Sequence, residues 1–502
     1  MGRRWGFCDS LRKFAAVEIT ADIIYQLSMI ALELAIVLLA LYVGSRYGSI
    51  ALGAMSGIGL AVLVLCFGMK PGTPPTDVIY IIIAAVTCAG MLQASGGMDW
   101  LIQIAERMLR RHPERITFYA PLCTFFLTVF VGTGHVVYTL MPIICDIALK
   151  KGIRPERPCG VASIASQVGI TCSPIAAAVV AFATISGENG FAVTIPQILM
   201  VTIPASVCGL LMASACSYRR GLDLDKDPAF QARLRDPEMH RYMYGESATT
   251  LNREIPASAR HAVYIFLGAL VVIVLFATFQ TLLPKYEQIV AVDGAASTWH
   301  FMTPPQLVKA GVVVPGLTES RQVPLKMNIV IQIVMVAAAA LMIIVCRAKP
   351  RKAVEGQVWQ SGMVAVVAIY GVAWLADTFF CNHIADIEAA LGGVVKAYPW
   401  SIAFVFFAVS ILINSQGAVV VSMLPLAYSL GIPGVVLLGV LPSVYGYFFI
   451  PCYPSDIATV NFDRSGTTVI GKYLLNHSFM MPGLVCIGVA TVVSFGLAQL
   501  LF

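Results

Sequence analysis

Charged residues are scarce in this chain, and that scarcity already excludes most classes of protein. Only 12% of the 502 residues are Asp, Glu, Lys or Arg, whereas about a quarter of a typical soluble domain is charged. Hydrophobic residues make up 58% of the chain, and the mean hydropathy is +0.81. This composition excludes a soluble globular protein and indicates a polytopic membrane protein.

The sequence also lacks the motifs of metal, nucleotide and catalytic sites. Its 13 cysteines are scattered singly, without a C-x-x-C pair or a Cys/His cluster, so neither zinc nor a disulfide framework is predicted. The string GTGH at 132–135 lacks the strand context and the Lys of a phosphate-binding loop. No Ser/His/Asp set has a plausible context, and no basic stripe suits nucleic acid. We expect no enzyme activity, metal, cofactor or nucleic-acid partner.

Long apolar sequence is abundant instead, and it is interrupted twice in the same way. The first interrupted stretch is FVGTGHVVYTLMP at 130–142, and the second is INSQGAVVVSMLP at 413–425. They align Gly134 with Gly417 and Pro142 with Pro425. A second pair of breaks follows at 171–174 (TCSP) and 451–454 (PCYP). Breaks at matching places in two halves of a membrane protein point to a transporter's binding site.

The apolar stretches predict the fold. A crossing needs about 20 mainly apolar residues, and two stretches, 117–149 and 399–431, are divided midway and predict re-entrant hairpins. Each half then has five crossings, and because five is odd the second half must be inverted. We predict an all-α polytopic membrane protein with two inverted repeats, each of about five transmembrane helices (one broken) plus a re-entrant helical hairpin. The predicted crossings are 29–45, 49–69, 77–97, 159–185, 195–216, 261–283, 327–346, 358–380, 432–461 and 478–502.

The predicted organisation has four parts. These are an N-terminal extension or miscalled start at 1–28, a first repeat at 29–216, a cytoplasmic linker at 217–260 and a second repeat at 261–502. Loops assigned to the cytoplasm hold 23 Lys and Arg, against 6 in the opposite loops, as the positive-inside rule expects. Residues 1–28 fit neither a signal peptide nor a crossing, so a natural start at Met29 and an amphipathic extension both stay open.

The candidate binding residues lie at the interruptions. No Lys or Arg falls inside the predicted crossings, so an anion would depend on helix N-termini, whose N–H groups and dipole attract negative charge. Two related tips suit a small molecule with an anionic group at each end. The alternative is that Ser and Thr here only hydrogen-bond to neighbouring helices. The predicted substrate-binding residues are Gly132, Thr133, Gly134, His135, Thr171, Ser173, Asn414, Ser415, Gln416, Gly417 and Ser455.

Ionisable residues near these breaks are candidates for gating or coupling. His135 would donate to a carboxylate, accept a coupling proton or act as a structural donor. Asp456 would cap a helix N-terminus, which we favour, or carry a proton. Glu106 and Arg110 are spaced as an i,i+4 pair on a cytoplasmic amphipathic helix, and Arg154 follows in a cytoplasmic loop. Surface charges that only orient the chain are the alternative for these last three.

At these residues the chain resembles the anaerobic C4-dicarboxylate transporter family (Dcu type), and within it the DcuB-like branch. The matching strings include LQASGGMDWLIQIAERMLRRHP, GTGHVVYTLMPII, IRPERP, LINSQGAVVV and PCYPSDIATVNFDRSGTT, and the resemblance runs from Met29 to the C-terminus. It implies a fold with paired hairpins and elevator motion. It also makes Glu106, Arg110 and Arg154 stronger functional candidates.

The resemblance implies a function as well. The predicted protein is a secondary antiporter that takes up fumarate, malate or aspartate and releases succinate across the bacterial inner membrane during anaerobic respiration. It further implies a C4-dicarboxylate sensor kinase as a partner, and related folds suggest a homodimer. Two alternatives stay open: a proton- or sodium-coupled uptake carrier, and a co-sensor subunit that binds dicarboxylate without moving it.

Overall fold

The computed structural model describes residues 28–44, 47, 50–244, 249–252, 254–291, 318–413, 415–450, 453–471 and 475–502. The predicted extension therefore lies outside the described residues, apart from residue 28. Seven described segments are long and apolar enough to cross a membrane, which makes the chain a multi-pass membrane protein. They are Pro113–Val131, Glu156–Glu188, Ile195–Tyr218, Ser258–Thr278, Met327–Cys346, Val358–His383 and Met480–Leu501.

The first half consists of helices, and the linker adds two short ones. In chain order the helices of the first half are α1 (Ser28–Gly44), α2 (Ala51–Cys66), α3 (Thr76–Ala94), α4 (Gly97–Arg111), α5 (Ile116–Val131), α6 (Val137–Lys150), α7 (Glu156–Val168), α8 (Ala177–Glu188) and α9 (Ile195–Tyr218). The linker contains α10 (Pro228–Leu234) and α11 (Pro237–Tyr244).

The second half follows a similar order and adds a small sheet. Its elements are α12 (Ser258–Thr278), β1 (Lys285–Ala291), β2 (Thr318–Pro324), α13 (Met327–Cys346), α14 (Pro350–Glu355), α15 (Gln357–Ala397), α16 (Ile402–Leu412), α17 (Gln416–Ser429), α18 (Gly434–Gly439), α19 (Pro454–Phe462) and α20 (Met480–Leu501). Helices occur at every predicted crossing, but only six of the ten crossings are among the seven described segments long and apolar enough to cross a membrane. The seventh, Pro113–Val131, was predicted to be half of a re-entrant hairpin, and its length instead suits a full crossing. The two interrupted stretches, 117–149 and 399–431, form the helix pairs α5–α6 and α16–α17.

Local sequence explains the main bends. Gly96 has a φ of 82°, in the left-handed region that glycine tolerates best, and the chain turns by 69° there between α3 and α4. Helix α4 is amphipathic and contains four charged residues in its second half, Glu106, Arg107, Arg110 and Arg111. It is too polar to cross a membrane alone. Helix α9 starts with a capping box, in which Thr194 and Gln197 exchange hydrogen bonds.

Two departures from the predictions concern the loops. The stretch 284–326 was expected to be a mixed loop in an all-α fold, but β1 and β2 pair antiparallel, with Lys285 opposite Pro324. The linker was expected to be a simple connection, but it is docked on the helices. Leu224, Phe230 and Met243 of the linker are buried against Leu149 at the end of α6. Burial of these apolar side chains offsets the entropy lost in ordering the linker.

The helices pack in two groups that meet at the interruptions. In one group, α2 packs on α15, α3 packs on α13 and α15, and α12 packs on α13. In the other group, α9 packs along α20, α5 packs on α7, and α18 packs on α20. Helices α8 and α17 pack on each other, and both also contact the first group, through α3 and α15. A cavity lies at this junction.

Candidate functional site

The first interruption is a turn made possible by one glycine. Gly132 ends α5 with a φ of 79°, and its N–H donates to the Thr128 carbonyl at 2.7 Å. Thr133 is extended, and a short 3₁₀ turn then leads into α6. The Thr133 hydroxyl lies 2.6 Å from Nδ1 of His135 and accepts a longer hydrogen bond of 3.4 Å from the His135 N–H. The turn therefore opens a new helix start at the middle of an apolar stretch.

The second interruption also ends in a helix start. Ser415 is extended, and its side chain caps α17 by accepting a hydrogen bond of 3.3 Å from the N–H of Ala418. Gln416 and Gly417 follow as the first residues of α17, where backbone N–H groups have no acceptor within the helix. Asn414, a predicted binding residue, lies outside the described residues.

Both interruptions line one cavity of about 540 Å³. Its opposite walls come from α2, α3 and α15, through side chains such as Leu52, Ile82 and Ile369. Seven of the predicted binding residues line it: Gly132, Thr133, Gly134, His135, Ser415, Gln416 and Gly417. The pairing of the two interruptions around a shared space, which the sequence analysis expected, is therefore observed.

The cavity is uncharged among the residues that the structure describes. Its lining contains no Asp, Glu, Lys or Arg. Polar groups come from Thr133, His135, Gln360, Ser415, Gln416, Tyr447 and Tyr453. In such a space the positive potential comes from backbone N–H groups and from the N-terminal ends of helices, which favour anions. The arrangement can bind a small anion.

Three predicted binding residues lie behind the cavity wall. Thr171 is buried, and its hydroxyl donates to the Val168 carbonyl at 3.1 Å. The hydroxyls of Ser173 and Ser455 are buried without a hydrogen-bond partner among the described residues. Ser173 packs close to Gly132, since a Cβ built on that glycine would lie 3.5 Å from the serine hydroxyl. None of the three residues lines the cavity.

Asp456 does not cap a helix with its side chain, so the favoured interpretation was wrong. The N-cap of α19 is Tyr453, and it makes no side-chain cap hydrogen bond. Asp456 lies in the first turn of that helix, where its carboxylate accepts a hydrogen bond of 2.6 Å from the Ser163 hydroxyl of α7. The residue is 1% exposed and lies two positions after Pro454, which lines the cavity. Asp456 therefore joins the broken helices of the two halves.

Sequence reasoning missed three polar residues of the cavity. Gln360 comes from α15, and Tyr447 and Tyr453 come from the break between α18 and α19. Tyr453 stands inside the PCYP break, which was itself recognised, so its position could have been noticed. Tyr447 lies in a mainly apolar stretch, and Gln360 is an exposed residue near the start of α15. Neither carries a local signal, and only the packing of the helices brings them to the site.

Glu106 and Arg110 lie away from the cavity, in a network that holds the linker. The buried carboxylate of Glu106 accepts hydrogen bonds from the Thr249 hydroxyl at 2.7 Å, from the Thr250 hydroxyl at 2.6 Å and from the Thr250 N–H at 2.8 Å. Arg110 donates to the same carboxylate at 2.8 Å, which confirms the predicted i,i+4 pair. Arg110 also approaches Asp146 of α6 at 3.9 Å. The pair thus connects α4, the linker and the first interrupted stretch.

Arg154 also binds the linker. Its guanidinium contacts Glu156 at 2.8 Å and Asp227 at 3.1 Å. Glu156 in turn contacts Arg220 at 3.2 Å and accepts a hydrogen bond from the Ser478 hydroxyl at 2.8 Å. Residues of both halves and of the linker therefore meet beside the start of α7.

Acidification is expected to weaken the attachment of the linker through Glu106. Burial raises the pKa of the Glu106 carboxyl, but hydrogen bonds from Thr250, Thr249 and Arg110 outweigh it and leave that pKa below its ordinary value. A lowered pKa stabilises the folded protein above the ordinary carboxyl range, and the gain is lost as the pH falls through the lowered pKa. Thermal unfolding of purified protein should show a melting temperature that falls on acidification, and a smaller fall in Glu106→Gln.

The Glu106 prediction has an exposed control. Glu355 pairs with Arg351 on α14, where the two side chains are 62% and 93% exposed. Glu355→Gln should leave the pH dependence of the melting temperature unchanged, because exposed pairs are screened by water. Equal slopes for wild type and Glu106→Gln would contradict the prediction.

Comparison with known proteins places the chain in a family. The model of the family described as "Anaerobic c4-dicarboxylate membrane transporter" matches residues 29–502. The anaerobic C4-dicarboxylate transporter DcuB of Escherichia coli O6:H1 is 41% identical over 467 residues, which cover 92% of this chain and 97% of the relative. The C4-dicarboxylate transporter DcuA of Wolinella succinogenes is 32% identical over 473 residues, covering 94% of this chain and 100% of the relative. The DcuA of Escherichia coli K12 is 34% identical over 469 residues, covering 93% and 98%. The chain therefore belongs to the family of anaerobic C4-dicarboxylate membrane transporters.

Proposed function

We propose that this protein is a secondary antiporter of C4-dicarboxylates, which takes up fumarate, malate or aspartate and releases succinate across the bacterial inner membrane. One observation supports the proposal most: two interrupted stretches, 283 residues apart in sequence, line a single uncharged cavity. Its volume of about 540 Å³ lies within the range of roughly 300–1,000 Å³ that is usual for small-molecule sites. The names of the relatives support the substrate class.

The two interruptions suit the two ends of a dicarboxylate. The helix start at Gly134 would receive one carboxylate, and the backbone N–H groups at Gln416 and Gly417 would receive the other. Glycines at both tips allow other parts of the protein to pack closely against the helix starts: Gly134 packs against Gln167, and Gly417 packs against Ala177. Backbone dipoles stabilise the negative charge without a buried cation, whose own desolvation would be costly at membrane depth. The hydroxyl of Thr133 would complete the shell around the first carboxylate.

The packing of the helices supports an inverted repeat. In an inverted repeat each helix of the first half has a counterpart in the second: α13 is the counterpart of α2, and α15 is the counterpart of α3. A contact between α2 and α15 should therefore be matched by a contact between α13 and α3. Likewise α17 is the counterpart of α6, and α19 is the counterpart of α8. A contact between α6 and α19 should therefore be matched by a contact between α17 and α8. All four contacts are present in the structure. Related halves of opposite orientation would let the same cavity open to either side of the membrane in turn.

The cytoplasmic network suits a gate in this mechanism. Glu106, Arg110 and Arg154 attach the linker and Asp146 to the ends of α4 and α7. In our proposal these contacts hold the cytoplasmic side closed, and they rearrange when the substrate-bearing helices move. Exchange of fumarate or malate for succinate moves no net charge, because each is a dianion, and therefore needs no coupled ion. Aspartate also carries an ammonium group, so its exchange for succinate would move one net charge. The sensor kinase partner and the homodimer stay predictions of the resemblance.

Proton-coupled uptake is the second candidate, and Asp456 is the observation that favours it. Its carboxyl is 1% exposed beside the cavity and accepts a hydrogen bond from Ser163. A buried carboxyl at membrane depth is costly to ionise, so it is suited to binding and releasing a proton. Under this mechanism Asp456 would be protonated in one stage of the cycle and ionised in another.

Counterflow in proteoliposomes separates the two candidates. Vesicles that contain purified protein and internal succinate should take up labelled fumarate rapidly, whereas vesicles without internal dicarboxylate should take up little. The expected difference arises because an antiporter needs a substrate for each direction of its cycle. Protein-free vesicles loaded with succinate are the control for leakage.

Two results would contradict antiport. Uptake that persists without internal dicarboxylate, and that increases with an inward proton gradient, would support proton-coupled uptake instead. Measurable fumarate binding without any flux would support the co-sensor alternative. Fumarate, succinate, malate and aspartate should be compared in the same assay, because the cavity geometry does not rank them.

A further inference from the structure

A buried hydrogen-bonded connection joins the two interruptions at the cavity wall, where Gln416 and Tyr447 line the cavity. We call Gln167, Tyr447 and Gln416 the amide bridge. The Tyr447 hydroxyl donates to the side-chain carbonyl of Gln167 at 2.8 Å. The side-chain N–H₂ of Gln416 donates to the Gln167 backbone carbonyl at 2.8 Å and to the Tyr447 hydroxyl at 3.2 Å. The three residues are between 1% and 2% exposed, so bulk water does not compete for these bonds.

The direction of each hydrogen bond is determined by the groups present. A backbone carbonyl only accepts, so the Gln416 amide must turn its N–H₂ toward Gln167. The Tyr447 hydroxyl accepts from Gln416 and therefore gives its own proton to Gln167. The Gln167 N–H₂ lies 3.2 Å from the Ser166 hydroxyl and donates to it. Reversing any one group would place two acceptors or two donors together, so the amide bridge specifies one arrangement.

The amide bridge connects elements of both halves. Gln167 belongs to α7, Gln416 is the first residue of α17, and Tyr447 lies in the break between α18 and α19. Gly134 of the first interruption packs directly on Gln167, since a Cβ there would lie 2.4 Å from Nε2 of that residue. The first interruption therefore rests on the amide bridge, and the second forms part of it.

We propose that the amide bridge sets the separation of the two interruptions, and that Tyr447 and Gln167 are positioning residues for substrate binding. The inference rests on the proposed function, because it concerns the distance between two carboxylate-binding tips. A dicarboxylate has a nearly constant distance between its ends, so both tips must be held at a matching distance. Loss of the amide bridge would let α17 move relative to Gly134, and binding would weaken.

Two neighbouring tyrosines provide a matched test. Tyr445 and Tyr447 are both buried, and their rings pack at 4.7 Å, but the Tyr445 hydroxyl has no hydrogen-bond partner among the described residues. Tyr445 does not line the cavity. Tyr447→Phe removes the donor to Gln167 and keeps the ring, whereas Tyr445→Phe removes a hydroxyl outside the amide bridge. Overall packing changes little in either variant.

The expected result is a change in affinity rather than in rate. In succinate counterflow, Tyr447→Phe should raise the half-saturating fumarate concentration about tenfold, which corresponds to about 1.4 kcal/mol, and leave the maximal rate nearly unchanged. Tyr445→Phe should match wild type in both. A half-saturating concentration that does not change in Tyr447→Phe, or that changes equally in both variants, would overturn the proposal. A fall in maximal rate with unchanged half-saturation would also overturn it.

A double-mutant cycle protects the test against unspecific damage. Gln167→Ala removes the acceptor of the Tyr447 proton. If Gln167 and Tyr447 act through one bridge, the variant with both substitutions should bind fumarate with about the same affinity as whichever single variant binds it less tightly. Additive losses would contradict a shared bridge. Melting temperatures are measured in parallel. If Gln167→Ala no longer unfolds cooperatively, it is replaced by Gln167→Leu, which keeps the side-chain volume, also lacks the acceptor and should therefore weaken fumarate binding. Wild-type affinity in that variant would count against the amide bridge.

Failure of the proposed function is separable from failure of this inference. If wild-type protein binds fumarate without counterflow, the antiport proposal fails, and the comparison of Tyr447→Phe with Tyr445→Phe is read from the fumarate dissociation constant by the same criteria. If wild-type protein neither exchanges nor binds any of the four dicarboxylates, both proposals fail.

Discussion

Gly134→Ala is expected to abolish dicarboxylate exchange. A Cβ at this position would lie 2.4 Å from Nε2 of Gln167 and 2.8 Å from the Ser166 carbonyl oxygen. The backbone of α7 cannot move away without disturbing the broken helix, so the first interruption would shift out of the cavity. Overpacking of this kind typically costs about 1–3 kcal/mol of stability, so the protein should still fold. The displaced first interruption, however, would no longer hold the substrate in the geometry needed for binding. Counterflow of labelled fumarate measures the loss.

Gly268→Ala is the matched control for this prediction. Gly268 lies in α12, and a Cβ built there meets no atom within 4 Å. Alanine is also the better helix former, so this variant should exchange dicarboxylates like wild type. Exchange at the wild-type rate by Gly134→Ala, with both variants inserted in the membrane at equal levels, would remove the first interruption from the substrate site.

Asp146→Asn is expected to reduce the free energy of unfolding by about 1–3 kcal/mol, the usual cost of leaving a buried hydrogen-bonding group with its partners weakened. The Asp146 side chain is fully buried, and it contacts Lys150 at 3.1 Å and Arg464 at 3.2 Å. Arg110 approaches the same carboxylate at 3.9 Å. Because Arg464 belongs to the second half, the loss would also loosen the contact between the halves. Unfolding by SDS in mixed micelles, followed by Trp fluorescence, measures the effect.

The exposed pair on α14 again provides the comparison. Arg351 and Glu355 are spaced i,i+4, as Lys150 and Asp146 are, but their side chains face solvent. Arg351→Gln should change the free energy of unfolding by less than about 1 kcal/mol. If Asp146→Asn is no more destabilising than Arg351→Gln, the network around Asp146 does not hold the two halves together.

The uncharged cavity has a consequence for how this transporter would release its substrate. A buried Lys or Arg would bind a dianion strongly and would have to be desolvated again whenever the cavity emptied. Backbone N–H groups at helix starts keep their partial charges without a full ionic charge in the membrane. A site of this kind binds anions with less cost in its empty state, which suits a carrier that must load and unload on both sides.

The positions of the helices and of the breaks could be predicted because their causes are local. A run of about 20 apolar residues is sufficient for a crossing helix, and Gly132, with its left-handed backbone, is sufficient to end α5. The pairing of residues 130–142 with 413–425 was visible for the same reason. Seven predicted binding residues line the cavity accordingly.

Other predictions failed or were incomplete because they depended on contacts between distant residues. Asp456 had the sequence context of a helix cap, yet its partner is Ser163, 293 positions away. The linker was charged and proline-containing like a flexible loop, yet Thr250 binds Glu106 across 144 positions. The β1–β2 pairing joins short polar segments without a strong alternating pattern.

Composition and periodicity therefore establish the membrane class, the order of the helices and the places where they break, because each depends on a few consecutive residues and on the solvent around them. Three-dimensional packing alone establishes that both breaks face one cavity, that Tyr447 joins Gln167 to Gln416, and that Glu106 holds the linker. Such contacts form between segments hundreds of residues apart, and their partners are selected by shape and by hydrogen-bond complementarity, which no local stretch of the chain contains.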